Sequence, residues 1–80
     1  MLLEYINHAM KHARYEALPD DGSWYGEIPP CQGVFANAHT ETECRKQLAE
    51  VLEEWILFRI HRHLPVPKID GLAIEIREVV

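Results

Sequence analysis

Thr40-Glu41-Thr42-Glu43 is a capping box: the Thr40 hydroxyl is placed to accept from the Glu43 amide while the Glu43 carboxylate reaches back. It opens the element that most constrains this chain. The helix it starts is predicted to run from Glu41 to about Arg62, where Pro65 and Pro67 end it. Glu41 and Glu43 lie near its positive end and Arg59, His61, Arg62 and His63 near its negative end, as the macrodipole favours. About 22 residues extend ~33 Å, whereas strands of five or six residues reach only ~17–20 Å. The helix therefore outruns any sheet the rest of the chain can build. In its first half Cys44, Leu48, Val51 and Leu52 form one narrow stripe that a single sheet can cover. In its second half Trp55, Ile56, Leu57, Phe58 and Ile60 surround much of the circumference. That bulk needs a second cover, and Trp55, Leu57, Phe58 and Ile60 are the candidate protein-interface residues. The alternative is cover from within the chain by Leu3, Ile6 and Met10.

The remaining segments are short. Leu2 to His12 carries apolar residues at helical spacing and lacks an N-cap, so it must dock or fray. Ala13 to Leu18 alternates as a strand, Pro19-Asp20-Asp21-Gly22 is a turn, and Ser23 to Ile28 is the returning arm, stopped by Pro29-Pro30. A loop through Gly33 leads to a third strand, Val34 to Ala38. Gly71 to Val80 alternates again and reads as a fourth strand. The order α-β-β-β-α-β describes one α+β domain over residues 1–80. A three-stranded meander plus a C-terminal strand packs on the long helix, with a short N-terminal helix beside it.

With 8 basic against 13 acidic side chains the net charge is −5, which disfavours binding to nucleic acid and suits a basic partner. A chain of 80 residues has a modest core, so oligomerisation is the expected supplementary source of stability. Two cysteines make no disulfide framework and no signal peptide precedes them, so the compartment reads as cytoplasmic. The longest uncharged apolar run is Trp55 to Phe58, far short of a membrane span. Asp20, Asp21 and Glu27 form a conceivable Mg²⁺ cluster for nucleolytic work, yet adjacent aspartates in such a turn are ordinary turn formers. His8 and His12 stand at i, i+4 with no third metal ligand at a persuasive spacing and read as a surface pair. Cys44 lies on the apolar stripe, and Cys31 in its loop is expected to be more exposed. A nucleophilic pairing of cysteine with His39 needs a base and an oxyanion site that spacing does not provide. His61-x-His63 reads as a solvated helix end. No catalytic residue, cofactor or metal is expected.

Several of these signals occur together in a known order. Tyr15-x-Ala17, Asp20-Asp21-Gly22-Ser23-Trp24-Tyr25-Gly26-Glu27-Ile28-Pro29, Gly33, Thr40-Glu41-Thr42-Glu43 and Pro65-Val66-Pro67 resemble the N-terminal domain of the HicB-like antitoxin family over about residues 13–67. Ala38-His39-Thr40 departs from that family's Gly-Asp-Thr, Cys44 stands where it has alanine, and residues 1–12 extend beyond its usual start. With the chain ending at Val80 there is no room for the DNA-binding module that many members append. The resemblance implies a partial RNase H-like fold without the nuclease carboxylates. It also implies homo-oligomers and neutralisation of a small, basic, mRNA-cleaving toxin of the HicA type by direct binding. The alternatives are an orphan homo-oligomer without a toxin and a metal-dependent nuclease on the same fold.

Overall fold

The computed structural model describes residues 2–74. Helix α1 spans Leu2–Lys11, strands β1, β2 and β3 span Arg14–Ala17, Trp24–Glu27 and Phe35–Ala38, and helix α2 spans Glu41–His61. The strands form an antiparallel sheet in the order β1-β2-β3. Arg14 lies opposite Glu27 and Ala17 opposite Trp24 in the first pair, and Trp24 opposite Ala38 and Glu27 opposite Phe35 in the second. The fold is the expected α+β arrangement. Of the expected fourth strand, residues 75–80 lie outside the described residues, and Leu72 forms an isolated bridge back to Ile69.

Each boundary has a local cause. Between β1 and β2 the Leu18 amide donates to the Ser23 carbonyl at 2.7 Å, and the Asp21 carboxylate accepts from the Ser23 amide at 2.9 Å. At the start of α2 the Thr40 hydroxyl accepts from the Glu43 amide at 3.1 Å, the Thr40 half of the predicted box. At its far end His63 adopts a left-handed φ of 56°. The Leu64 amide then reaches the Arg59 carbonyl at 2.8 Å and the His63 amide reaches Ile60 at 3.1 Å, the two bonds of a Schellman cap. The prolines follow this cap rather than making it.

The sheet lies on one side of α2. Cys44, Leu48, Leu52 and Ile56 are fully buried along that helix, against Ala36 and Ala38 of the sheet and Ile28, Cys31 and Val34 of the β2–β3 connection. Gly26 is required where β2 crosses α2, because a Cβ there would stand 3.0 Å from both Cys44 Sγ and Tyr15 Cδ1. Part of the second half of α2 is covered from within the chain. The cover differs from the expected one: Leu3 is 71% exposed, while Tyr5 and Ala9 are the buried residues of α1 and Ile6 and Met10 flank them. Leu3 and Tyr5 are about 200° apart around the helix, so only one of them can face inward. Tyr5 faces inward and donates its hydroxyl to the Pro67 carbonyl at 2.5 Å, joining α1 to the segment that leaves α2. No described helix is long and apolar enough to cross a membrane.

Candidate interaction surfaces

Strand alternation turns Gly26, Ala36 and Ala38 toward α2 and leaves Arg14, Glu16, Tyr25, Glu27, Phe35 and Asn37 on the outer face of the sheet. Phe35 is 58% exposed and stacks on Tyr25, with ring centroids 6.3 Å apart and planes at 24°. By register, Glu16 flanks Tyr25 and Glu27 flanks Phe35, and the Tyr25 hydroxyl donates to Glu27 at 3.4 Å. Desolvation, then the Glu27 carboxylate, raise the Tyr25 phenol above its ordinary range. An aromatic pair bordered by carboxylates offers both ring faces and acid groups that Arg or Lys side chains can meet.

The predicted interface residues on α2 are split between two environments. Trp55 and Ile60 are half-buried and pack against the core. Leu57 and Phe58 stay in solvent, 49% and 53% exposed. The Arg62 guanidinium lies 5.3 Å from the Phe58 ring centroid. Beside Trp55 runs an open groove of about 360 Å³ lined by Pro30, Gln32, Arg59, Pro65 and Pro67. Arg59 is committed there, stacked 4.8 Å over Trp55 and donating from Nε to the Pro65 carbonyl at 2.7 Å.

Against known proteins, the UPF0150-like family model matches residues 4–67. The chain belongs to the UPF0150-like family. The match takes in most of α1, so the N-terminal helix is part of the family domain rather than an extension before it. The crystal structure of TTHA0281 from Thermus thermophilus is similar, at 36% sequence identity and a TM-score of 0.87, covering 96% of this chain and 95% of that one. No curated protein matches.

Other candidate groups in this UPF0150-like chain are dispersed or differently employed. Asp20 and Asp21 sit in the exposed turn before β2 and Glu27 at the opposite end of that strand, which by itself spans about 10 Å at ~3.4 Å per residue, so the nuclease trio is not assembled. Cys31 is buried, not exposed; it lies against Tyr5, and burial pushes its thiol up, which disfavours the thiolate a nucleophile needs. His39 lies elsewhere, in a hollow with Asp21, Ser23 and Asn37. His61 and His63 are exposed.

His8 and His12 do share a face, and they share a partner that spacing did not reveal. His8 Nδ1 is 3.0 Å from one oxygen of Asp70 and His12 Nε2 is 2.8 Å from the other. Asp70 is presented by a two-residue turn: Ile69 and Leu72 exchange both backbone bonds, at 3.0 and 2.8 Å, while Asp70 and Gly71 have φ of 50° and 78°. Two positive φ values define a type I′ hairpin turn, for which Asp-Gly is a preferred pair. That dipeptide was the available signal. The His8 and His12 bonds hold the Asp70 carboxyl below its ordinary range. The three form a hydrogen-bonded clasp, and among the described residues no group of three such side chains is arranged to hold a metal ion.

Proposed function

We propose that this UPF0150-like chain is a non-enzymatic interaction protein of the HicB antitoxin type. It acts as a homo-oligomer in the cytoplasm and neutralises a small, basic, mRNA-cleaving HicA-type toxin by binding it directly. Family membership supports this reading, because the UPF0150-like family is HicB-related. The observation that carries it furthest is the outer sheet face, where the exposed Phe35 stacks on Tyr25 between Glu16 and Glu27. The net charge of −5 matches the sign such a partner requires and would speed encounter. Direct binding of nucleic acid by this chain is disfavoured by the same charge.

The test is co-expression with the product of a neighbouring short basic reading frame. Copurification and relief of its toxicity are expected, with both weakened at least tenfold by Phe35→Glu or Glu27→Lys and the fold intact by circular dichroism. A complex insensitive to either substitution moves the partner off this face. Absence of a complex leaves the orphan homo-oligomer. Mg²⁺-dependent RNA cleavage by the purified chain, abolished by Asp20→Asn or Glu27→Gln, would instead establish the nuclease alternative.

A further inference from the structure

The acidic balance of the chain conceals a local reversal of sign. Between Glu54 and Asp70 the sequence carries Arg59, Arg62 and Lys68 and no Asp or Glu, so a protein of net charge −5 has a cationic stretch at the end of α2 and along the segment that leaves it. Arg62 and Lys68 are exposed, whereas Arg59 is half-buried and held in place. Its guanidinium lies 4.8 Å from the Trp55 ring centroid, and its Nε donates to the Pro65 carbonyl at 2.7 Å. Among the described residues no carboxylate pairs with it. A half-buried, oriented cation without a counter-charge, in the wall of an open groove of about 360 Å³, is prepared for an anion from outside the chain.

The walls of the groove select the kind of anion. Pro30, Pro65 and Pro67 have no N–H to offer, which leaves three side chains as donors: the Nη1–Nη2 edge of Arg59, the indole N–H of Trp55 and the amide of Gln32. Phosphate groups and terminal carboxylates are held by converging backbone amides, at a helix N-terminus or a nest, and α2 turns its carbonyl end this way. A planar carboxylate needs only the two parallel N–H donors of one guanidinium edge. The proline rings and the indole add flat apolar surface beside it, which an apolar side chain next to that carboxylate can cover. We propose that this groove binds an extended acidic peptide segment of a partner protein. One Asp or Glu side chain of the segment meets Arg59, and its apolar neighbour rests on Trp55 and the prolines. The site is separate from the outer sheet face, selects the opposite sign of charge, and does not rest on the toxin-type partner. RNA gains a single oriented guanidinium here against the charge of the whole chain and is disfavoured. One ion pair in a groove open to water gives a Kd of roughly 0.1–1 mM for an isolated segment.

The experiment is an NMR titration of the ¹⁵N-labelled full chain, following the Trp55 indole and Arg59 Nε resonances. The probes are three blocked hexapeptides, otherwise uncharged and containing leucine, that differ only in having glutamate, glutamine or lysine beside it. Saturable shifts are expected with the glutamate peptide, several-fold weaker binding with glutamine and none with lysine. Arg59→Gln, with its fold verified by circular dichroism, should bind the glutamate and glutamine peptides alike, a lost preference that a purely structural role for Arg59 would not produce. Should that variant not fold, the three peptides on the wild-type chain still decide the matter. Equal binding of glutamate and glutamine peptides by the wild type, or no binding of any at millimolar concentration, overturns the proposal. Displacement of the glutamate peptide by inorganic phosphate or a uridine hexanucleotide, at a lower concentration than the peptide itself requires, overturns it in favour of a phosphate ligand. None of these outcomes bears on binding of the basic partner at the sheet.

Discussion

At the scale of single residues, the most consequential arrangement is the carboxylate of Asp70 held by two imidazoles. Asp70 has its pKa lowered, first by the bond to His8 and then by that to His12. A carboxyl whose folded pKa is depressed stabilises the fold above its unfolded value, near 4, and that contribution is lost as pH falls through the folded value. Asn at this position tolerates the left-handed backbone and removes the charge. The melting temperature of Asp70→Asn, followed from pH 7 to pH 3, is therefore expected to lie below wild type at pH 7 and to converge on it in acid; a constant gap would detach the effect from this carboxylate. The histidine pair was legible in the sequence as one helical face, but its partner stands 58 residues beyond His12, a separation that no local spacing rule spans.

At the scale of elements, α2 is the clearest case of local chemistry writing its own boundary. Thr40 caps the start because a threonine hydroxyl satisfies an amide that has no partner inside the helix. The end is less economical: His63 occupies the left-handed position that glycine fills at no steric cost. His63→Gly is expected to raise stability by about 0.5–1 kcal/mol, measured by chemical denaturation, and a loss of stability would show that the imidazole makes a compensating contact. The strands were read from alternation to within a residue or two of their true ends. The Asp70-Gly71 turn is masked in the sequence because alternation from Gly71 onward resembles a strand, which takes the second residue of the turn as its own first.

For the whole molecule, the long helix is shared between two covers. The sheet and its connection take one part, and α1 with the chain leaving α2 takes another, tied together by the Tyr5 hydroxyl on the Pro67 carbonyl. Tyr5→Phe keeps the ring and leaves that carbonyl without its donor. A cost of about 1–2 kcal/mol is expected, together with faster amide exchange at Ile69 and Leu72, since the segment they belong to loses its tether. Unchanged exchange there would mean that the clasp at Asp70 alone holds the segment. What this internal cover leaves out is as informative as what it takes in: Leu57 and Phe58 on α2, and Phe35 on the far side of the sheet, remain in water on opposite layers of the molecule.

The sequence by itself determined the element order from α1 to α2, the capped long helix, the hairpin and the excess of apolar bulk on α2, because each is set by residues close along the chain. Only the tertiary structure decided which side of α1 faces inward, which of the four residues Trp55, Leu57, Phe58 and Ile60 stay exposed, and that Asp70 meets His8 and His12. Those outcomes depend on the relative rotation of packed helices and on pairings between residues far apart along the chain, where one choice of facing side chain excludes its neighbour at about 100° or 200° around the helix.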